Sequence, residues 1–433
     1  MSTVKAFRAS ILHFTADPAM SDKAHSWHED GLLVVVQGRV LAAGDYDRLK
    51  DTLPPGTQVR DYRGKIIMPG FIDTHIHYPQ TDMIASPAPG LLPWLDTYTF
   101  PTERQFKDPE HARGVADFFV KELLRCGTTT AMVYCTVHQE SVDAFFGAAE
   151  AHNLRVAAGK VMMDRHCPDF LQDTAERGAR ESEELIHRWH NKGRNMYALT
   201  PRFAPTSTEA QLAMCGELAR AYPDTYVQTH VAENTDEVAW VKSLFPEARS
   251  YLDVYDKFGL LRKRSMYAHC IWLDDEDRAR MADTGAAVSM CATSNLFLGS
   301  GLFDFAAADR QQVALSLATD VGGGTSFSML QTMNETYKVA RMGGTYLPAL
   351  RMFYMATLGG ARSMQLEGTV GNFVAGAEAD FVVLDPKATP LLERRTTRCD
   401  SLEELLFAVA LLGDDRTVAA TYAAGAQVHQ RGE

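Results

Sequence analysis

Between Lys65 and Asp320 the sequence repeats one pattern eight times, an apolar strand-like run followed by a stretch with helical periodicity. The runs are "KIIMPGFIDTH", "TTTAMVYCT", "RVAAGKVMMD", "MYALTPRFAP", "TYVQTHVAE", "SMYAHCIWL", "AAVSMC" and "QVALSLATD". Strand–helix alternation on this scale is the expectation for a (β/α)8 TIM-like barrel, a fold of about 250 residues before insertions. An open doubly wound sheet is the structural competitor, because periodicity alone does not separate the two. The helices carry their own punctuation. "HARGVADFFVKELLRCG" opens behind Asp108-Pro109 and stops at Gly127, which supplies a cap, a first-turn proline and a terminal glycine in the expected order. Thr206 with Glu209, and Asn234 with Glu237, read as capping boxes for two later helices.

The two ends of the chain are written in another style. Residues 1–66 read as short strands and turns, "VKAFRASILHF" and "GLLVVVQGRVLAAG", and the tail returns to it in "GNFVAGAEADFVVLDP" and "TVAATYAAGAQVHQ". The expected organisation is α/β: a barrel over 67–370 that carries the active site, and one small β-sandwich domain formed from both chain ends, 1–66 and 371–433. At 433 residues and 46% hydrophobic content, the chain can bury a core of that size.

Charge and cysteine usage narrow the function classes. Acidic residues outnumber basic ones by 55 to 43, for a net charge of -12 with no Lys/Arg run, which argues against nucleic acid or an anionic membrane surface as a partner. The seven cysteines are scattered and form no C-x-x-C, so neither a disulfide framework nor a thiolate zinc site is indicated and a reducing cytoplasm fits. "MSTVKAFRAS" lacks a signal-peptide apolar core, and "LLVVV" is far too short to span a bilayer. No export or membrane anchoring is expected.

The first barrel run ends in "PGFIDTHIHYPQTD". Residues i and i+2 on a strand share a face, so His75 and His77 look the same way, with Asp73 one step earlier. Two imidazoles side by side suggest a metal, although a pair of hydrogen-bonded loop histidines gives the same short motif. In a barrel, chemistry collects where strands end and βα loops begin. Arg202 follows the fourth run, His230 and Glu233 close the fifth, His269 the sixth and Asp320 the eighth. Three imidazoles and a carboxylate leave a zinc ion the open position that catalysis needs, and such an ion lowers the pKa of its bound water to about 7. Glu233, three residues past His230, can reach beyond the metal as a proton carrier. His187 and His190 read as the solvated face of a helix, and His13, His25, His28, His111, His152 and His429 as surface or loop residues. "HQE" at His138 has the first half of a cytidine-deaminase zinc signature without its P-C-x-x-C half. "VGGGTS" after Asp320 lacks the ending of a phosphate loop and reads as backbone passing close to the site.

Taken together, "IIMPGFIDTHIH", "THVAE", "YAHC", "ATD" and "GAEADFVVLD" resemble the metal-dependent amidohydrolase superfamily over almost the whole chain. Within it, "HYPQTD", "LLPWLDTYTFPTE" and "TPRFAPTST" resemble the guanine deaminases. That resemblance implies His75, His77, His230 and Asp320 as metal ligands, Glu233, His269 and Asp320 in catalysis, and Gln80, Arg202 and Phe203 in a base pocket. It also implies a homodimer acting on a small molecule, guanine, in purine catabolism or salvage. Binuclear relatives hold a second metal with a lysine at the end of strand four, where this chain has "TPRFAP". Lys160, early in the third run, reads as structural, so one metal per chain is expected, zinc before iron.

The implied chemistry is coherent. Guanine presents O6 and N7 as adjacent acceptors, the edge a guanidinium such as Arg202 reads as a fork. Gln80 can donate and accept at once, and Trp94 or Phe203 can stack on the flat ring, against the alternative that both only pack. The expected reaction is attack of a metal-activated hydroxide on C2 of guanine, with Glu233 delivering a proton to N3 and ammonia leaving. The competing readings are a deaminase of 8-oxoguanine, a pterin or a triazine, and a non-catalytic amidohydrolase-like binding protein.

Overall fold

The computed structural model describes residues 4–87 and 89–432. Residues 1–3 and 433 of the predicted β segments lie outside the described residues. The chain opens with β1 (Val4–Phe14), β2 (His25–Val36), β3 (Arg39–Asp45) and β4 (Val59–Pro69). It then builds the barrel from β5 (Phe71–His77), β6 (Thr128–Tyr134), β7 (Arg155–Gly159), the two-residue β8 (Val161–Met162), β9 (Asn195–Pro201), β10 (Tyr226–Val231), β11 (Ser265–His269), β12 (Ala287–Met290) and β13 (Ala314–Leu317). Without β8, which pairs beside the end of β9, these are eight parallel strands in the order β5-β6-β7-β9-β10-β11-β12-β13. All eight predicted runs are therefore in the barrel. Its seam is closed by Asp320 N donating to His75 O at 2.9 Å and His77 N to Val321 O at 2.8 Å. Every residue of β5, β6 and β9 is buried, as expected of strands covered by helices outside and side chains within. The lower interior is filled by Ile72, Met132, Met196 and Met266, plugged from below by Met364, Leu366 and Val370.

One predicted run is two strands. Lys65–Pro69 completes β4, and only Phe71 onward belongs to the barrel. Gly70 is the joint: its N–H donates to Asp380 O at 3.1 Å, and a Cβ there would run into the Thr129 side chain. Glycine lets the backbone pass that close.

Both chain ends meet in one seven-stranded sheet, completed by β14 (Phe381–Leu384), β15 (Val418–Ala423) and β16 (Ala426–Gln430), in the order β16-β15-β14-β4-β1-β2-β3. The sheet curls back on itself, with Val40 N donating to Ala377 O at 2.8 Å and Ala379 N to Gly38 O at 2.8 Å. The period of two sorts its side chains. Phe7, Ile11, Ile67, Phe381 and Tyr422 form the sheet's own core, whereas Leu12, Ile66, Met68, Val382 and Leu384 join the barrel's outer core. Arg155 and Arg194, from the barrel's lower rim, both pair with Glu378 beside β14, at 2.5 and 2.7 Å, and Arg194 also pairs with Asp380.

Helix starts follow local chemistry. Asp108 caps Pro109–Arg125 by accepting from Glu110 N at 2.9 Å, and the Asn234–Glu237 box is formed as read. The Thr206–Glu209 box is not: Thr206 sits in a separate turn, Ala204–Thr206, and Thr208 caps Glu209–Ala221 by accepting from Gln211 N. Asp164 fixes that cap, its Oδ1 accepting from Thr208 N at 2.8 Å. After β5 the insert coils over residues 91–107 as one helical run that changes pitch at Leu95–Thr99. Among the described residues, no helix is long and apolar enough to cross a membrane.

Candidate active site

Strand alternation brings the first two imidazoles together, and the barrel brings the rest. His75 Nε2 lies 3.2 Å from His77 Nε2, and His77 Nε2 lies 3.3 Å from His230 Nε2 at the end of β10. Asp320 Oδ1 stands 3.3 Å from both His75 Nε2 and His77 Nε2. Burial drives the imidazoles toward the neutral form: His77 is lowered to about 3, and His75 and His230 are lowered as well. Neutral nitrogens with converging lone pairs repel one another unless a cation lies between them. Bonds of about 2.0–2.1 Å at a tetrahedral angle give ligand–ligand edges of about 3.3–3.4 Å, so the spacing fits a metal ion. The donor set is held from behind. His230 Nδ1 donates to Arg202 O at 2.7 Å, which fixes Nε2 as the free lone pair. Cys291 is a neighbour of the same cluster, with His75, His269 and Asp320.

Asp73 does not join these donors. Its Oδ1 accepts from Thr319 N at 3.1 Å and from His75 N at 3.3 Å, and Thr319 Oγ1 donates to Oδ2. The carboxyl thus ties β5 to the segment that carries Asp320. Burial raises it to about 7.

Glu233 and His269 flank the cluster. Glu233 accepts from Ser300 Oγ at 2.8 Å and lies 3.3 Å from His269 Nε2 through Oε2. Burial, with the nearby charge of Asp320, pushes Glu233 up to about 8. Its backbone N–H donates to Glu237 Oε2 at 2.9 Å, so the capping box of the next helix also holds this residue. His269 Nδ1 donates to Asn295 Oδ1 at 2.8 Å, leaving Nε2 directed at Glu233 and, at 3.8 Å, Asp320. His269 and Asp320 both adopt positive φ, 69° and 49°. Such strain in non-glycine residues collects at functional strand ends.

A cavity opens above the cluster. Its lining includes His77, His230, Glu233, His269 and Asp320 together with Gln80, Trp94, Arg202 and Phe203. His75 lies a layer deeper. Trp94 and Phe203, 3% and 4% exposed, pack in one apolar cluster and also line the cavity. Gly322, Gly323 and Gly324 pass so close to Gln80, Ser294 and Thr319 that side chains would collide, as the reading of "VGGGTS" expects. Lys160 does not line the cavity; it is buried and paired with Asp173 at 2.5 Å and Glu181 at 3.3 Å. Among the histidines read as surface or loop residues, His13 differs. It is 8% exposed on β1, packed against Phe373, and burial lowers it to about 4.

Glu103, Ser300, Asn295 and Glu237 are polar residues of the site that the sequence reading missed. Glu103 accepts from Arg202 Nη1 at 2.7 and 2.9 Å and from Gln80 Nε2 at 3.3 Å. It sits inside the quoted insert, but no local pattern marks a glutamate for burial. Only the capping box of Glu237 left a signal, and that signal pointed to a helix start.

Comparison with known proteins agrees with this geometry. The profile of the amidohydrolase family matches residues 66–428. The chain is 50% identical over 432 residues to a guanine deaminase of Escherichia coli strain K12, covering 99% of this chain and 98% of that one. It superposes on a structure of E. coli guanine deaminase with a TM-score of 0.95 at 49% identity, covering 99% and 100% of the two chains. A guanine deaminase from C. acetobutylicum, crystallised with guanine in its active site, superposes with a TM-score of 0.87 at 29% identity, covering 98% and 100%.

Proposed function

Because this chain belongs to the amidohydrolase family, we infer that its cavity is the active site of a hydrolase that converts guanine and water to xanthine and ammonia. The observation that carries this reading is one cavity lined both by the imidazole–carboxylate cluster and by the Gln80–Arg202 pair. His75, His77, His230 and Asp320 hold one zinc ion per chain, with iron able to use the same donors. When bound, the ion supplies Lewis acidity, lowering the pKa of a coordinated water to about 7.

The chain's own residues do the rest. Arg202 and Gln80 hold the base by its polar edges, with Phe203 and Trp94 against its faces, so that C2 is turned toward the cluster. Water adds across C2=N3, its oxygen to C2 and one proton, carried by Glu233, to N3. A second proton passes through Glu233 or Asp320 to the amino group, the C2–N bond breaks, and ammonia leaves. A carboxyl pushed up to about 8 holds and releases protons near neutrality, as a shuttle requires. His269, oriented by Asn295, supports the developing charge at C2. The catalytic unit is 67–370, and the enzyme works as a homodimer in the cytoplasm, with its seven cysteines unpaired.

The test is ammonia release from metal-replete protein across guanine, 8-oxoguanine, adenine, a pterin and a triazine, with metal counted in the same sample. Strong preference for guanine at one metal per chain is the expected result. Turnover confined to another ring overturns the reading of the Gln80–Arg202 pair, and metal-replete protein inert on every ring overturns the reaction.

A further inference from the structure

Arg202 is 3% exposed and its guanidinium is already engaged before any ligand enters. Glu103, 0% exposed, takes Nη1 with both carboxylate oxygens at 2.7 and 2.9 Å. The same carboxylate accepts from Gln80 Nε2 at 3.3 Å, and Gln80 Oε1 in turn accepts from Gly322 N at 3.1 Å. Phe100, one turn earlier on the insert, lies beneath the guanidinium at 5.4 Å. One buried carboxylate therefore sets the orientation of both side chains read as gripping the base. It also offsets the cation's charge at a buried position, where an unpaired arginine would attract any anion.

We propose that Glu103 is a positioning and specificity-determining residue that aims Arg202 and Gln80 at a neutral purine and keeps anionic purines out. The inference rests on the guanine reading of the cavity. It has a direct chemical consequence, because the two ends of the reaction differ in charge: guanine is neutral near neutrality, whereas xanthine readily loses a proton there. A neutralised Arg202 binds the substrate and does not retain the ionised product. Exclusion of the anion is thus built into the same contact that grips the base.

The experiment compares wild type with Glu103→Gln and Glu103→Asp, reading kcat and KM for guanine, and Ki for xanthine below and above xanthine's own ionisation. Wild type is assayed on guanine first; if it is inert there and active on another ring, the substrate reading fails and not the pairing. With guanine turnover established, Glu103→Gln is expected to raise KM about tenfold or more, the scale of one lost charge-assisted hydrogen bond, with a smaller change in kcat. It is also expected to tighten binding of ionised xanthine relative to neutral xanthine by a similar factor. Glu103→Asp keeps the charge on a shorter arm, so it raises KM while preserving discrimination against the anion. Glu103→Gln protein that folds, with KM and the xanthine preference unchanged, overturns the proposal. Should that variant not fold, wild type decides alone: weaker binding of ionised than neutral xanthine supports the proposal, and tighter binding of the ionised form overturns it.

Discussion

On the proposed mechanism, Glu233 is the residue on which the chemistry turns. Glu233→Gln keeps the shape and the Ser300 contact but removes the proton, so kcat is expected to fall by about 10²–10⁴ with metal content unchanged. Near-normal turnover at full metal occupancy would assign the proton transfer elsewhere. The clustered imidazoles give a prediction for the metal-free protein. His77 binds fewer protons folded than unfolded between its ordinary 6.5 and its lowered value of about 3. The contribution of His77 to the apoprotein's unfolding free energy therefore rises with pH across that window and levels off above it, while Asp73 and Glu233, whose raised values keep protons on the folded chain, contribute with the opposite sign. The difference in unfolding free energy between chelated wild type and chelated His77→Gln across the acid range isolates this contribution, and a difference independent of pH would contradict the burial of a neutral imidazole. The histidines, Glu233 and Asp320 were legible because each stands at or just past the end of an apolar run. Glu103 and Asn295 were not, because their partners are distant in sequence and a glutamate or asparagine declares its burial only when the partner is in place.

Elements register their identity more clearly than their boundaries. The helix Glu209–Ala221 was expected and is present, but its cap is Thr208 and not Thr206. Two residues were enough to mislead the local pattern, since Pro205 and Thr206 first complete a turn of their own. Thr208→Ala is expected to cost about 1 kcal/mol, typical of a lost cap, while Thr206→Val leaves that helix start untouched. Equilibrium unfolding of the two variants distinguishes them, and equal losses would restore the original reading. The single run Lys65–His75 became two strands for a reason absent from its apolar pattern. Whether an uninterrupted run belongs to one sheet or bridges two depends on what Gly70 approaches.

At the scale of the molecule, the barrel was legible from the eightfold alternation, and the terminal sheet from the shared style of the two chain ends. The clamp between them was not. Arg155 and Arg194 are separated from Glu378 by more than half the barrel, and only the assembled fold makes them neighbours. Glu378→Ala leaves two arginines facing one another without their common partner and is expected to destabilise the protein by about 3 kcal/mol. The clamp lies at the lower rim, opposite the catalytic strand ends, so the variant should keep wild-type KM for guanine at low temperature while its thermal unfolding midpoint drops. A parallel loss of KM would mean that the two ends of the barrel are coupled. Strand β14 has a further consequence, for biosynthesis. It fills the edge of β4, and that edge, apolar on both faces, waits for residues translated more than 300 positions later. Until the ribosome releases the last segment, the nascent polypeptide carries an open sheet edge of the kind that recruits other chains. A message cut short before Phe381 therefore yields a product with the whole imidazole–carboxylate cluster and an uncovered strand, a natural substrate for chaperones and proteases.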